Sequence, residues 1–207
     1  GIRLSRPASF PVGKVNLLQM YPLTYREYLT ASGHTELREL LENHTDFSQF
    51  PEPLHKRLIE LLKIYYFTGG MPEVVHTYID PGEFEKCRLI QNQIYKTFTL
   101  DFVKHAPAKE IPKIMQIWDS LPAQLGKENK KFKYSLLKKG ARAREYEDAL
   151  HWIENYGLLY KCYLVSVPKL PLKSYINPGF FKVYVMDTGL LCALSNLTAE
   201  TIIAGNQ

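Results

Sequence analysis

The sequence predicts a mainly α fold, with a helical bundle followed by a winged-helix domain that carries a small β-hairpin. An N-terminal strand without partners, the orphan edge of an α/β sheet lying outside the chain, precedes the bundle. Three observations lead there. Apolar residues recur at three- and four-residue spacing, as in Leu54, Leu58, Leu61, Leu62 and Tyr65 and again in Ala149, Leu150 and Ile153. Aromatic and β-branched runs come late, as LLYKCYLV at 158–165 and FFKVYVM at 180–186. Glycine and proline punctuate the rest, at Gly33, Gly69-Gly70, Pro81-Gly82, Gly140 and Gly157.

Residues 1–22 read as extended, with Val, Leu and Tyr interleaved with two prolines in SFPVGKVNLLQMYPL. Pro11-Val12-Gly13-Lys14 is not the end of a phosphate loop, because Val15 stands where Ser or Thr is needed and Ala8 where glycine is needed. Thr24 and Glu27 have the spacing of a capping box, so a helix starts there and ends near Gly33. A second helix covers 36–42. A third has Pro53 in its first turn and runs to about Phe67. Gly69-Gly70-Met71-Pro72 breaks it, since two glycines permit positive φ and Pro72 fixes a helix start. Asp80-Pro81-Gly82-Glu83 has the composition of an N-cap with proline in the first turn, opening a helix that continues to His105, the longest in the chain. Ala106-Pro107 interrupts, and a helix follows over 110–125.

From Phe132 onward the pattern is that of a winged helix. Ser135 is an N-cap candidate for a short helix, Gly140 makes a turn, and 144–156 form a second helix that Gly157 ends in a left-handed C′ position. The two late strands supply the wing. Asp187 in YVMDTGLL N-caps a further short helix.

Composition excludes several classes. At 207 residues the chain holds one large or two small domains. With 45% apolar and 13% aromatic residues it has ample material for a core. No apolar run approaches the ~20 residues a membrane helix needs, and the N-terminus lacks a signal peptide's apolar region. Cys87, Cys162 and Cys192 are far apart and embedded in apolar patterns, so they read as buried free thiols of a cytoplasmic protein. No histidine spacing, GxSxG or Cys/His arrangement marks a self-contained active site or a metal site.

The net charge of +5 is unevenly spread. Between Lys127 and Arg144 eight basic residues face one acidic residue, Glu128, so that segment carries +7 and the remainder about −2. Such a field suits phosphate, and Lys130, Lys131, Lys133, Lys138 and Lys139 are its candidate nucleic-acid contacts. A solvated lysine-rich loop is the plain alternative. Arg142 and Arg144 stand at a helix start, where they complete an anion site or pair with Glu145 and Glu147. The helix in the recognition position exposes Glu145, Glu147, Asp148 and Glu154, a face that repels phosphate and argues against insertion into a duplex groove. Gly70 and Pro72 form either a plain corner between helices or a wall for a purine base.

Five segments in order, SFPVGKVNLLQMYPLTYREYL, YYFTGGMPEVV, DFVKHA, FKYSLLKKGARAREYEDALHWIENYGLLYK and FKVYVMDTGLL, resemble bacterial and archaeal AAA-type ATPases of the STAND-like branch, over nearly the whole chain. The resemblance implies a middle piece: 1–23 the end of the ATPase core sheet, 24–107 a helical lid, 108–197 the winged helix, and 198–207 a linker to a C-terminal domain outside the chain. It implies ATP and Mg²⁺ as cofactors of the full-length protein, neither held by this chain alone, with the P-loop core outside these residues. It places Gly70 and Pro72 on the adenine side of the nucleotide, and makes Arg142 and Arg144 candidate phosphate sensors. Asp187 loosely resembles the acidic end of a switch motif whose histidine is here Met186. Expected partners are ATP, with nucleic acid, a second copy or another protein as further candidates, and no membrane. The rival reading is a DNA-binding winged-helix module that uses 127–144 on phosphates.

Overall fold

A computed structural model describes residues 18–205, apart from 47, 81 and 128–130. The rejected loop at Pro11–Lys14, most of the expected N-terminal strand and Lys130 therefore lie outside the described residues. Residues 18–23, the part of that strand which is described, have no regular secondary structure. The described residues form helices α1 (Tyr25–Ala31), α2 (Thr35–Asn43), α3 (Glu52–Thr68), α4 (Pro72–Ile79), α5 (Phe84–His105), α6 (Ile111–Leu125), α7 (Ala143–Tyr156), α8 (Thr188–Leu194) and α9 (Ala199–Ala204), with one antiparallel pair, β1 (Leu159–Val165) and β2 (Ile176–Val185). The fold is mainly α with a small hairpin, as expected.

The chain divides into two compact units. The first takes Tyr21–Lys96 and the residues from Asp187 onward; the second contains Thr97–Met186. The division falls inside α5 rather than near 106–110, and α8 belongs to the first unit rather than to the winged helix. Residues 199–204, expected as linker, are helical and pack on α3.

In the first unit the capping box is complete: Glu27 N–H donates to Thr24 Oγ1 at 3.3 Å, and Thr24 N–H donates to Glu27 Oε2 at 2.7 Å. Leu29 of α1 meets Leu58 and Leu61 of α3, with Leu37, Leu41 and Phe50 around them. A second cluster joins Phe67, Val74 and Cys87 to Ala199 and Ile202 of α9. Asp80 does not cap α5. It is the C-cap of α4 in the αR region, and α5 starts only at Phe84. The helix α4, eight residues long, is what the expected corner at Pro72 opens.

In the second unit an aromatic core gathers around Phe102, whose ring centroid lies 5.6 Å from Trp118, 5.7 Å from Trp152 and 6.3 Å from Tyr156, edge to face each time. Fully burying one such ring contributes about 1.5–3 kcal/mol. Tyr156 O–H donates to Asp101 at 2.6 Å, and burial pushes this phenol up to about 12. Ser135 does not cap a helix. Residues Tyr134–Leu136 form one 3-10 turn capped at Lys133, whose N–H and C=O are both taken by the Gln124 side chain at 2.9 Å. Gly140 turns with φ of +78°, and Gly157 ends α7 in the left-handed region at +87°, as its position predicts. The wing pairs Leu159 with Val185 through Tyr163 with Phe181, then jumps to Leu164 with Asn177. Residues 178–180 bulge out at the jump. Pro178 has no N–H to give a ladder, and Gly179 N–H donates instead to Asn177 Oδ1 at 3.0 Å. Cys87 and Cys192 are buried as expected, but Cys162 is exposed, because it falls on the outward side of the two-stranded pair. Among the described residues no helix is long and apolar enough to cross a membrane.

Candidate functional site

The last four carbonyls of any α-helix lack intrahelical partners, and a buried helix end must find them elsewhere. At the end of α3 this demand is met residue by residue. Tyr65 C=O accepts from Gly69 N–H at 2.7 Å and from the Thr188 hydroxyl at 3.5 Å. Tyr66 C=O accepts from the Cys192 thiol at 3.2 Å. Gln91 of α5 donates its amide to Phe67 C=O at 2.8 Å and to Thr68 C=O at 3.2 Å. Gly189 is the contact that lets α8 approach so closely: a Cβ there would overlap the Thr68 carbonyl. The end of α3 is therefore completed partly by Gln91 of α5 and partly by Thr188 and Cys192, more than a hundred positions downstream.

The glycine loop that follows is gripped from both sides. Gly70 N–H donates to Asp187 Oδ2 at 2.7 Å, while Asp187 Oδ1 accepts from Leu190 N–H at 2.9 Å as the N-cap of α8. Gly70 C=O accepts from Leu23 N–H at 2.7 Å, and Leu23 C=O accepts from the Tyr65 hydroxyl at 2.8 Å. A Cβ on Gly70 would overlap Leu23, and one on Gly69, which sits at φ +72°, would overlap the Asp187 carboxylate. Asp187 is 4% exposed. Burial pushes its carboxyl above the ordinary range, and the N–H groups of Gly70, Leu190 and Gly189 oppose that rise. Capping α8 thus accounts for only half of Asp187. The sequence separation of 117 residues hid the other half.

These contacts decide what the loop can offer a ligand. Both backbone polar groups of Gly70 are used inside the fold, and the residue is buried. Pro72 is exposed at the first position of α4, next to Met71, whose N-cap position carries no side-chain hydrogen bond. The ring of Pro72 is the part of the motif that a partner could touch.

The basic residues belong to the second unit. Arg142 is the N-cap of α7 with extended backbone and no side-chain cap bond, and Arg144 lies in its first turn. Both are exposed, and neither forms an ion pair with Glu145 or Glu147 among the described residues. Lys133, Lys138 and Lys139 are exposed, and Lys131 lies over the Phe180 ring, 3.2 Å from its centroid. The outward face of α7 exposes Glu145, Glu147 and Asp148, while Glu154 pairs with Lys161 at 2.8 Å. Gly70 and Pro72 are thus assembled with Asp187 in one unit, and Arg142 and Arg144 with the lysines in the other.

One structure that sequence reasoning missed is a cavity of about 550 Å³ bounded by Lys131, Lys133, Tyr134, Glu147, Lys161 and Tyr163. Backbone pairing of Phe132 N–H with Phe181 C=O, at 2.9 Å, lays the basic segment along β2 and closes this space. Among the described residues no cluster of His, Cys, Asp and Glu is grouped to hold a metal ion. Residues 59–201 match the family described as a domain of unknown function (DUF8612). No curated protein and no solved structure matches the chain.

Proposed function

The chain belongs to the family described as a domain of unknown function (DUF8612), and from its geometry we propose that it is the lid and winged-helix portion of a cytoplasmic AAA/STAND-like ATPase that acts as a nucleotide-dependent switch. The observation that carries this reading is the exposed Pro72 ring at the start of α4, on a loop immobilised by Asp187 and Leu23. A rigid loop presenting a flat apolar ring beside uncapped helix N–H groups suits the adenine side of ATP. Arg142 and Arg144, exposed and unpaired with their acidic neighbours among the described residues, suit its phosphates. In this reading the P-loop core outside these residues cradles the phosphates and Mg²⁺, which supply the charge that the arginines sense. A switch needs its two nucleotide states to bind differently, and an arginine–phosphate hydrogen bond made in one state and absent from the other is such a difference.

Replacing Pro72 by alanine in the full-length protein is expected to weaken ATP binding about fivefold, the effect of losing roughly 1 kcal/mol of apolar contact. Unchanged affinity by calorimetry would remove the adenine role. The purified 207-residue chain should show no Mg²⁺-dependent ATP turnover, and detectable turnover would overturn the assignment of the phosphate loop to other residues. A GxxxxGK[ST] motif upstream of Gly1 would support it directly.

A second reading is favoured by the exposed Lys133, Lys138, Lys139, Arg142 and Arg144: a DNA-binding winged helix that holds phosphates with this segment. It predicts duplex affinity that falls steeply with salt. A flat salt dependence would exclude it.

A further inference from the structure

We propose that the wing of the second unit is a binding site for single-stranded nucleic acid, with an unpaired base lodged in the cavity beside Tyr163 and its backbone phosphates on Lys131 and Lys133. The proposal does not depend on the ATPase reading. Its starting point is the cavity of about 550 Å³, which lies within the ~300–1,000 Å³ range of small-ligand pockets. The walls combine the two chemistries that an unpaired nucleotide needs. Aromatic rings provide flat faces: Tyr163 is 37% exposed and leans on Phe181 with centroids 5.7 Å apart, while Phe181 stacks on Phe132 at 5.5 Å. Lys131 and Lys133 provide positive charge against one carboxylate, Glu147, while the third ammonium, Lys161, is already paired with Glu154. The Lys161–Glu154 pair, at 2.8 Å and with only a tenth of the lysine side chain exposed, forms part of the cavity wall and leaves the phosphates to Lys131 and Lys133.

A second cavity of about 360 Å³ sits on the other side of the same wall, sharing Lys131, Tyr163 and Phe181 and adding Phe180, Lys182 and Tyr184. Occupants of the two cavities would flank one aromatic partition, as successive bases of one strand do. The bulge at Pro178–Phe180, three residues out of the β1–β2 ladder, borders both spaces: Pro178 and Gly179 line the first, and Phe180, 44% exposed, lines the second. Duplex is disfavoured at the same place. The face of α7 that would enter a groove exposes Glu145, Glu147 and Asp148, which repel phosphate. Sequence-tolerant stacking on aromatics along a positive groove is how single strands are held. Glu147 can accept from the exocyclic amine of cytosine or adenine or from the N3–H of an unpaired thymine, so it adds a hydrogen bond to the base without selecting which base is bound.

The test uses the whole 207-residue chain and fluorescein-labelled dC12, dA12, dT12 and a mixed duplex, read by anisotropy at low salt, with cytidine monophosphate measured by calorimetry. The expected result is dC12, dA12 and dT12 each bound at least tenfold more tightly than duplex or the mononucleotide. Tyr163→Leu and Phe180→Leu keep apolar bulk but remove the stacking face. Each should weaken dC12 about tenfold while leaving the circular dichroism spectrum unchanged. Lys133→Gln should reduce the slope of log affinity against log salt by about 0.7. Duplex bound as tightly as single strand, a mononucleotide bound as tightly as dC12, or no binding at all would each overturn the proposal. So would a full-affinity Tyr163→Leu, Phe180→Leu double variant.

Discussion

Replacing Asp187 by asparagine isolates the contact that ties the glycine loop to α8. The carboxylate accepts from Gly70 N–H at 2.7 Å and from Leu190 N–H at 2.9 Å, and it is 4% exposed. Asparagine has one oxygen. If that oxygen continues to cap α8, its amide group faces Gly70 N–H and two donors meet in a dry site. A buried donor left without an acceptor costs about 1–3 kcal/mol. Part is returned, because the charged carboxylate is no longer held out of water. The net expectation is a loss of about 1–2 kcal/mol, or about 5–30-fold more of the locally open state at this site. Amide hydrogen exchange at Gly70 and Leu190 reads it directly, with circular dichroism to confirm the fold.

The pH dependence has a definite sign. Burial raises the Asp187 pKa, so the native state binds this proton more tightly than the unfolded chain does. The group's contribution to stability therefore falls as pH rises from the ordinary carboxylate range through the raised native value. Asparagine has no such slope. The advantage of the wild type over the variant should be largest at the acid end of that window and narrow as pH rises. Unchanged exchange at Gly70 would refute the latch, whereas an advantage that widens with pH would show that the three N–H groups outweigh burial in setting the Asp187 pKa.

Other perturbations follow from packing. Gly189→Ala should lower the thermal midpoint by several degrees, from ~1–3 kcal/mol of overpacking, because its Cβ would overlap the Thr68 carbonyl. Gly140→Ala, in open space at φ +78°, should cost only the ~1 kcal/mol of a left-handed alanine, and equal effects would contradict the close approach of α8. Phe102→Ala should cost about 3–5 kcal/mol. It should also red-shift tryptophan emission, since both tryptophans, Trp118 and Trp152, pack on that ring. An unaltered spectrum and urea midpoint would show that this ring is not the centre of the second unit.

Local rules were enough where the controlling partner lies within one turn. The capping box at Thr24 and Glu27, the left-handed Gly157, the N-cap at Asp187 and the 3.6-residue stripe of α3 all depend on neighbours three or four residues away. The errors have the same logic reversed. Asp80 and Ser135 have good cap composition, but α4 runs on to Ile79, and Gln124 pins Lys133, so each residue falls at a different point of its turn. Cys162 looked buried because an apolar run does not say which side of a two-stranded pair faces water.

What the sequence by itself determined is the type and order of most of the elements, α9 excepted, because periodicity, caps and breakers act through bonds and contacts a few residues long. The tertiary structure alone decided that Gly70 is latched to Asp187, that α8 and α9 return to α3, and that the bulge at Pro178–Phe180 lines two cavities together with aromatic residues and lysines. Those features join residues tens to more than a hundred positions apart. Which distant partner satisfies a buried N–H or carbonyl is settled only when the chain has closed around it.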